Sequence, residues 1–330
     1  MTETSKQNKN PKMLSIGAAV QDVFMSHSDV FAPVCITPDN CFAQLPMGAK
    51  ADVNQINFST GGGAMNGATT FARQGLDTTF IGKVGRDPAG EAVLADLDKE
   101  SIDSQYMSYS KKYNTGYSVI LLAESGERTI LTYSGASTHY RKVNFHSVEN
   151  VKADWLFLST LAGDFDVLEY LVNWATENNV LIAFNPGKGE LADPERLKKL
   201  IPKLTILNTN KEEMQLLFGK LSSEDLAKKA SSKVKYVVVT DGPNGAVATD
   251  GTTIISAGMY EDVPVIDRTG AGDAFISGFT SIIAGRGSLE EALVFGSANS
   301  TSVVGHIGAK EGILKSGSKL HDMPLVINKV

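Results

Sequence analysis

The stretch Asp267-Arg-Thr-Gly-Ala-Gly-Asp-Ala-Phe275 is the most informative part of the 330-residue chain. It follows a short apolar run and leads into a pattern typical of a helix. Gly270, Ala271 and Gly272 lack bulky side chains, so their backbone amides can converge on an anion at a helix N-terminus. Asp273 then projects from the first helical turn. The stretch therefore predicts a junction that binds an anionic group.

Two simpler interpretations of this junction stay open. An aspartate in a first turn is common because its charge suits the helix dipole. A lone Gly-x-Gly is also weak evidence for any ligand. It is not a Walker A loop, since no Lys-Ser/Thr pair follows, and it lacks the third small residue of a dinucleotide fingerprint. The helix itself is predicted from four apolar residues at helical spacing: Phe275, Phe279, Ile282 and Ile283.

Outward from this junction, apolar runs alternate with helical patterns along the chain. Continuously apolar runs suit parallel strands covered on both faces. The predicted strands are Met13–Val20, Asp77–Val84, Trp155–Ser159, Val180–Phe184, Thr205–Leu207 and Tyr236–Thr240. The predicted helices are Ala64–Gly75, Asp87–Ile102, Val167–Thr176, Pro194–Ile201, Lys211–Phe218 and Glu224–Ala230. This pattern predicts an α/β fold with a doubly wound, mostly parallel sheet and helices on both faces.

Two stretches interrupt the alternation. Ser28–Ser59 carries several prolines and short β-like runs such as Val53–Phe58. Farther on, two β-like runs flank Glu124–Arg128, which reads as a hairpin turn around Gly126. Either stretch could be surface decoration, but insertions of this kind often serve as lids. We therefore predict a small β-rich lid over the strand ends, formed by about residues 28–59 and 113–134.

Composition limits the classes of function. Hydrophobic residues make up 42% of the chain and charged residues 21%, and the formal charge is −6. Without a dense Lys/Arg tract, such a chain is a poor candidate for binding nucleic acid or anionic membranes. Residues 1–12 form a polar tail without the apolar core of a secretory signal. We expect a cytoplasmic protein whose residues 13–330 form one domain.

The chain has only two cysteines, Cys35 and Cys41. A disulfide between them is conceivable. So sparse a use of cysteine nevertheless suits a reducing compartment, where a free thiol is usually a small buried hydrophobe. The expectation is therefore two free, buried cysteines.

Two motifs together point to a family. Gly-Ala-Gly-Asp at the start of a late helix, with Gly61-Gly-Gly-Ala-Met-Asn66 near the beginning, resembles the ribokinase-like (PfkB) family of carbohydrate and nucleoside kinases. The resemblance runs from Leu14 to about Ile313. It implies a kinase that transfers the γ-phosphoryl group of ATP, with Mg²⁺, to a hydroxyl group of a sugar or nucleoside. It also implies the ribokinase-like fold and a small-molecule partner.

In this family the Gly-Ala-Gly-Asp amides form an anion hole for the transferring phosphoryl group, and the Asp is the catalytic base. The resemblance thus assigns the anion hole to Gly270, Ala271 and Gly272. Asp273 would accept the proton of the acceptor hydroxyl. A carboxylate with a near-normal pKa suffices, because in a loose transition state the hydroxyl loses its proton late.

The acceptor side resembles the family at Asp22, Gly61, Gly62 and Asn66. A carboxylate just past the first strand can accept hydrogen bonds from two hydroxyls, glycines let the backbone approach the substrate, and Asn66 can both donate and accept. A strand-end turn followed by a glycine-rich helix start is the simpler interpretation. Two departures argue against ribose itself. The ribokinase type has a lysine at the position of Gly63 and a glutamate where this chain aligns Ala162.

The donor side is similar to the family at several strand ends. Asn185 would face the phosphates, and Thr240 with Gly242 matches a Thr-x-Gly nucleotide contact. Asn210-Lys-Glu-Glu213 matches the Asn-x-x-Glu that organises hydrated Mg²⁺ and phosphate. The same pair is also a plain helix capping box, and both roles can hold together.

The resemblance further implies a site for a monovalent cation. Asp267 and Thr269, with carbonyls near Val304 and Gly308, match the site that many members use for K⁺. We therefore expect K⁺ to stimulate activity. The charge of Arg268 is the feature that could replace part of the cation's field.

The acceptor and the assembly are predicted more coarsely. No Lys/Arg cluster stands beside Asp22 and Asn66, so a neutral polyol is expected. A frequent family asparagine falls by spacing on Ser297, with Asn299 two residues along. Lids in this family pair in homodimers or close over monomers, and both arrangements stay open. A non-catalytic nucleotide or sugar sensor on the same fold is the alternative function, and a sensor would need no base.

Overall fold

The computed structural model describes residues 10–26, 28, 31, 34–37, 40–45, 47–123, 128–258, 260 and 263–330. Most of the predicted polar tail and residues 124–127 of the predicted hairpin turn lie outside this part of the chain. Within the described ranges, no helix is both long enough and apolar enough to cross a membrane.

Short strands and helices alternate along the chain. The strands are β1 (Lys12–Ile16), β2 (Val20–Ser26), β3 (Val34–Thr37), β4 (Asn40–Phe42), β5 (Gln55–Gly61), β6 (Asp77–Ile81), β7 (Lys83–Val84), β8 (Ser108–Tyr109), β9 (Gly116–Leu122), β10 (Arg128–Tyr133), β11 (Trp155–Leu158), β12 (Leu181–Phe184), β13 (Ile206–Asn210), β14 (Tyr236–Thr240), β15 (Ala246–Thr249), β16 (Thr253–Ala257) and β17 (Leu325–Lys329). The helices are α1 (Gly63–Arg73), α2 (Pro88–Lys99), α3 (Phe165–Glu177), α4 (Lys188–Leu191), α5 (Pro194–Leu200), α6 (Lys211–Phe218), α7 (Ser223–Ser231), α8 (Ala271–Ala284) and α9 (Leu289–Val304). Single 3₁₀ segments lie at Gly135–Thr138, Lys142–Asn150, Ile201–Lys203 and Gly242–Asn244.

The large sheet has nine strands in the order β17-β16-β15-β14-β13-β12-β11-β1-β6. The strands from β6 to β14 in this order pair in parallel, and β15, β16 and β17 continue the sheet antiparallel. Helices connect the parallel strands, as the alternation of patterns predicts. The prediction of a doubly wound, mostly parallel sheet is confirmed.

Each central strand buries side chains on both faces of this sheet. In β11, Leu156 and Leu158 pack into a core with α3 and α5, whereas Trp155 and Phe157 point to the opposite face and pack with α8. Side chains alternate between faces along a strand, so a strand covered on both sides is apolar throughout. This explains the continuous apolar runs in the sequence.

Most of the longer helices begin at a side chain that accepts a hydrogen bond from the first turn. Asp87 accepts the amide of Gly90 at α2, Ser222 accepts that of Asp225 at α7, and Ser288 accepts that of Glu291 at α9. Such caps satisfy amides that have no partner within the helix. They set the boundaries of the helices at the edge of the sheet.

A smaller, four-stranded sheet has the order β10-β9-β2-β5. The predicted lid ranges 28–59 and 113–134 supply most of β5 and all of β9 and β10. The prediction of a first strand reaching Val20 is wrong, because β1 ends at Ile16 and Val20 begins β2. The chain leaves the large sheet between these two residues and enters the four-stranded sheet.

The expectation of free, buried cysteines is also wrong. Cys35 and Cys41 face each other across the β3–β4 pair and are joined by a disulfide. Both residues are exposed to solvent. The short hairpin brings the two Cα atoms together at a separation of 3.9 Å.

Candidate active site

The predicted site residues gather at the carboxyl ends of the parallel strands. Asn185 follows β12, Asn210 ends β13, and Thr240 ends β14. Parallel strands end at one edge, so residues distant in sequence become neighbours there. Of the remaining predicted residues, Asp22 and Gly61 lie on the four-stranded sheet, and Gly62 and Asn66 lie at the start of α1. Glu213 and Gly242 follow β13 and β14, and residues 267–273 lie at or just before the N-terminus of α8.

The Gly-Ala-Gly-Asp stretch, residues 270–273, lies at the N-terminus of α8. Gly270 is the N-cap and has a left-handed backbone conformation with φ 78°. A Cβ at this position would lie 2.4 Å from Ala309 Cβ, so glycine is required. At Gly272 the backbone is exposed, and a Cβ would meet no atom within 4 Å. The backbone at Gly272 is thus accessible to a ligand, whereas the Ala271 amide donates to the carbonyl oxygen of Arg268 at 3.4 Å.

Asp273 stands in the first turn of α8 and is half-buried. Its Oδ2 accepts a hydrogen bond of 2.9 Å from Asn66 Nδ2 in α1. The two helices are joined one turn deeper by Ser277 Oγ, which donates to Thr70 Oγ1 at 2.8 Å. Burial raises the pKa of Asp273 above its ordinary value, and the hydrogen bond from Asn66 partly offsets this shift. The buried Oδ1 of Asn66 has no hydrogen-bond partner and remains able to accept one.

The predicted acceptor residues lie where β2 and β5 meet the start of α1, and we call this place the acceptor crevice. Asp22 on β2 is buried, and a Cβ at Gly61 would lie 2.4 Å from its Oδ2. Burial raises the pKa of Asp22, while a hydrogen bond from Ser118 on β9 acts in the opposite direction. Gly62 has φ 102°, and a Cβ there would lie 2.3 Å from the carbonyl oxygen of Ala18. Glycines 61 and 62 therefore bring the backbone close to Asp22 and to the chain after β1.

Gly63, the first residue of α1, lies close to both Ser159 and Asp273. A Cβ at Gly63 would lie 2.2 Å from Ser159 Oγ and 3.0 Å from Asp273 Oδ1. The hydroxyl of Ser159, the first residue after β11, and the carboxylate of Asp273 thus both border Gly63. Sequence reasoning missed Ser159, because only the packing of β11 against the start of α1 brings it here.

On the side predicted to bind the phosphoryl donor, a cavity of about 160 Å³ lies beside the turn at the N-terminus of α8. Thr240, Gly242 and Gly272 all line it, so the cavity extends from the end of β14 to the start of α8. Ser297 also lines this cavity. Asn299 instead is buried and donates through Nδ2 to the carbonyl oxygen of Ala274 at 2.8 Å. Of the two positions that the spacing left open, Ser297 therefore faces the donor cavity.

The asparagines at the ends of β12 and β13 make two separate sets of hydrogen bonds. Asn185 Oδ1 accepts a hydrogen bond of 3.1 Å from Asn208 Nδ2. Asn210 Oδ1 accepts the amide of Glu213 at 2.8 Å, and Glu213 Oε2 accepts the amide of Asn210 at 3.0 Å. This is the predicted capping box. Burial raises the pKa of Glu213, and the hydrogen bond from the Asn210 amide acts against it.

The loop before α8 is organised by the fully buried Asp267. Its Oδ1 accepts the Thr269 amide at 3.0 Å and the Thr269 hydroxyl at 2.7 Å, and its Oδ2 accepts the Gly308 amide at 3.0 Å. The carbonyl oxygen of Val304 accepts the amide of Asp267 at 3.2 Å. The residues predicted for a monovalent cation are thus neighbours.

Two cationic side chains near the predicted acceptor residues, Arg128 and Lys310, were not predicted from the sequence. Arg128 at the start of β10 places its Nε 3.8 Å from Asp267 Oδ1, where it has no hydrogen-bond partner. The buried Lys310 donates to Asp96 and to Thr60 at the end of β5. Only the tertiary fold shows that these charges have carboxylate partners.

The described residues contain no group of three or more His, Cys, Asp or Glu side chains arranged to hold a metal ion.

Residues 30–316 match the family described as pfkB family carbohydrate kinase. The match spans both the glycine-rich start of α1 and the turn before α8.

Individual relatives agree with this match. A ribokinase from Haemophilus influenzae is 29% identical over 262 residues, which cover 77% of this chain and 83% of the relative. An ATP-dependent 6-phosphofructokinase from Thermoanaerobacterium thermosaccharolyticum is 27% identical, with 76% and 80% covered. The crystal structure of a nucleoside kinase from Methanocaldococcus jannaschii, described as an archaeal member of the ribokinase family, superposes with a TM-score of 0.73. It is 22% identical, with 93% of this chain and 95% of that chain covered.

Proposed function

The chain belongs to the pfkB family of carbohydrate kinases and is a phosphotransferase with an alcohol group as acceptor, and we propose that it transfers the γ-phosphoryl group of ATP to a hydroxyl of a neutral sugar or nucleoside. One observation carries the proposal. Asp273 stands at the N-terminus of α8, between the crevice of Asp22 and Asn66 and the cavity that reaches Thr240.

The proposed reaction uses Asp273 as the base. An acceptor hydroxyl bound beside its carboxylate attacks the γ-phosphorus and gives its proton to Asp273, while the bond between that phosphorus and the β,γ-bridging oxygen breaks and ADP leaves. Proton transfer is late in a loose transition state, so the carboxylate chiefly orients the hydroxyl and then takes its proton. Asn66 supports the ionised carboxylate through its hydrogen bond of 2.9 Å.

The proposed anion hole consists of the backbone amides of Gly270, Ala271 and Gly272. An open helix N-terminus offers amides and a positive dipole end to the transferring group. Such groups stabilise charge that develops in the transition state without having to reorganise. The left-handed conformation of Gly270 supports this role, because it turns the chain into the helix at this point.

The proposed donor site places the nucleotide in the cavity lined by Thr240 and Gly242. Asn185 would contact the phosphates. Asn210 and Glu213 would hold the water shell of Mg²⁺, which neutralises phosphate charge when bound. Glu213 suits this role, because only one of its carboxylate oxygens is used by the capping box.

The proposed acceptor is neutral because the two nearby cations each lie beside a carboxylate of the protein. Lys310 is paired with Asp96, and Arg128 lies beside Asp267. A phosphorylated sugar needs free Lys or Arg groups for its phosphate. Asp22 and the unpartnered Oδ1 of Asn66 instead suit hydroxyl groups. The names of the two relatives, ribokinase and 6-phosphofructokinase, differ in acceptor, so these charges decide the proposal.

We further propose that the four-stranded sheet is the lid of residues 13–330 and that Asp267 and Thr269 support a K⁺ site. Asp22 lies on the inner face of this sheet, so closure of the sheet would exclude water from the acceptor.

The proposed function is tested by ADP release from ATP and Mg²⁺ with a panel of sugars, nucleosides and their monophosphates. We expect turnover with at least one neutral acceptor. Turnover only with phosphorylated sugars would contradict the neutral acceptor. Nucleotide binding without ADP release for any acceptor would favour the sensor alternative.

A further inference from the structure

Glu190 in α4 is a fully buried carboxylate that the proposed reaction does not use. Its Oε1 accepts the amides of Leu161 and Gly163, each at 2.8 Å. Its Oε2 accepts the hydroxyl of Thr160 and the amide of Gly187, also at 2.8 Å. No Lys or Arg among the described residues forms an ion pair with it. Four hydrogen bonds from uncharged donors thus replace the water that this carboxylate loses on folding.

Three of these donors come from the loop that follows β11. Ala162 and Gly163 both have left-handed backbone conformations, with φ 59° and 79°. For alanine this conformation costs about 1 kcal/mol, so the surroundings must hold it in place. Thr160 adds a second link, since its Oγ1 accepts the amide of Ala162 at 3.1 Å. The amides of Leu161 and Gly163 in this loop therefore bind the Glu190 carboxylate of the protein itself.

The loop connects directly to the acceptor crevice. Its first residue, Ser159, has its hydroxyl within 2.2 Å of where a Cβ at Gly63 would stand, and that point is 3.0 Å from Asp273 Oδ1. The fourth donor, Gly187, lies two residues after Asn185 on the donor side. A Cβ at Gly187 would lie 2.7 Å from the side chain of Thr160, so the two loops are in close contact. Glu190 thus joins a loop of the acceptor side to a loop of the donor side.

We propose that Glu190 is a positioning residue for phosphoryl transfer: it fixes the loop Ser159–Gly163 against the start of α4 and so sets where the acceptor hydroxyl stands relative to Asp273. The inference rests on the proposed function. A misplacement of about 1 Å can cost roughly 100-fold in rate when reacting groups must be aligned. The acceptor loop should respond most, because it supplies three of the four donors.

The test is Glu190→Gln in the full chain. The glutamine Oε1 can still accept the amides of Leu161 and Gly163, so the fold should survive. Its NH₂ group, however, faces the donors of Thr160 and Gly187 and cannot accept from them. We expect kcat/KM for the acceptor to fall roughly 10- to 100-fold while the KM for ATP stays within about two-fold. Hydrogen exchange should become faster at the amide of Gly187, which loses its acceptor, but not in the large sheet.

Two further variants make the result specific. Asp193→Asn is the matched control: this nearby exposed carboxylate also accepts a backbone amide, that of Arg196 at 3.0 Å, and asparagine caps helices as well as aspartate does. It should leave both KM values unchanged. Thr160→Val removes the hydroxyl that donates to Glu190 and accepts the Ala162 amide, but it leaves the other three donors to Glu190 in place, so it should reproduce a smaller part of the acceptor effect.

The outcomes separate this inference from the proposed function. A wild-type protein without kinase activity would overturn the proposed function. An active wild type with a folded Glu190→Gln variant of unchanged acceptor kinetics would overturn the positioning role alone. Equal losses for ATP and acceptor, together with a lowered Tm, would also overturn it, because they indicate a purely structural contribution.

Discussion

The N-terminus of α8 and the four-stranded sheet face the same crevice but are held very differently. At α8, Asp267 is fully buried and uses both carboxylate oxygens, and the helix is buried from Ala274 to Ser281. On the four-stranded sheet, Phe58 is 64% exposed and Leu131 is 55% exposed. Segments with few buried contacts open at lower free energy than the core does. We therefore expect the N-terminus of α8 to determine the rate of phosphoryl transfer and the four-stranded sheet to determine access and affinity for the acceptor.

The two regions touch at few described places. Arg128 approaches Asp267 at 3.8 Å, and a Cβ at Gly308 would lie 3.3 Å from Ser59 Oγ. Substitutions at α8 should therefore change kcat, and substitutions on the four-stranded sheet should chiefly change the KM of the acceptor. Each prediction below tests this division.

The largest effect is expected at Asp273. Asp273→Asn keeps an oxygen that can accept from Asn66 but removes the carboxylate that we propose takes the proton. We expect kcat to fall by about 10²–10⁴, with little change in the affinities for ATP and acceptor. Steady-state kinetics with the best acceptor of the panel, together with calorimetric ATP binding, measure both. Turnover near that of the wild type would exclude Asp273 as the base.

The stability of the same variant is an internal control. Because burial raises the pKa of Asp273 in the folded state, its stabilising contribution is present at low pH and is lost as pH rises through that pKa. At neutral pH the ionised carboxylate therefore costs stability, and Asp273→Asn should have an unfolding free energy no lower than that of the wild type. A large loss of stability would instead indicate a structural role.

A smaller effect is expected at Asp22, and it should appear in the KM of the acceptor rather than in kcat. Asp22→Asn removes a charged acceptor of hydroxyl hydrogen bonds, which contributes about 1.5–3 kcal/mol. The KM of the acceptor should thus rise by roughly 10- to 100-fold, with a smaller change in kcat and in the KM of ATP. A matched control on the outer side of the same sheet is Thr129→Val, an exposed position of β10. A decrease in kcat alone would contradict the expectation that the four-stranded sheet chiefly affects the KM of the acceptor.

Local signals in the sequence were sufficient for much of the large sheet. The prediction of Lys211–Phe218 as a helix and Tyr236–Thr240 as a strand is confirmed to the residue. In the helix, Asn210 and Glu213 form the capping box that their spacing predicts. Helix caps and continuous apolar runs involve only a few neighbouring residues, so they can be recognised in the sequence.

Elements that depend on distant partners were not predictable. The strand β17 was not predicted, since its partner β16 lies about 70 residues away. The strands β15 and β16 were also not predicted, although β15 pairs with β14 and with β16 across short connections. The strand predicted as Met13–Val20 divides between two sheets, although its apolar character continues. Periodicity reports that a strand is buried but not the sheet to which it belongs.

The site follows the same rule. Each motif was visible in sequence, but the contact between Asn66 and Asp273 spans 207 residues. Glu190 and Arg128 were missed because nothing near them in sequence indicates their partners. Glu190 shows only a local cap with Gly187, and its three bonds to the loop after β11 come from tertiary packing.

The pH dependence of kcat should separate the two carboxylates. At saturating acceptor, kcat reports groups of the bound complex, so it depends on Asp273 rather than on Asp22. Asp273 must be ionised to act, and burial raises its pKa above 3.8; kcat should therefore fall as pH decreases through this raised pKa. Asn66→Ala removes the hydrogen bond that lowers the pKa, so the acid limb should move to higher pH. An unchanged or lower acid limb would contradict the role of Asn66.

The smallest effect tests the contact between the two regions. Arg128 lies 3.8 Å from Asp267 Oδ1 and is partly exposed, and such a pair contributes at most about 1 kcal/mol. If its charge replaces part of the field of a monovalent cation, Arg128→Met should lower the rate without K⁺ by up to about five-fold and increase the stimulation by K⁺. Arg268→Met is the matched control, because Arg268 is exposed and has no ion pair with Asp267 among the described contacts. Rates in K⁺ and in tetramethylammonium should be compared at equal ionic strength, since the surface charges of both arginines are screened alike. Equal rates in the two salts for wild type and variant would exclude the cation site. Equal changes in both variants would show that net charge, rather than the contact at Asp267, is responsible.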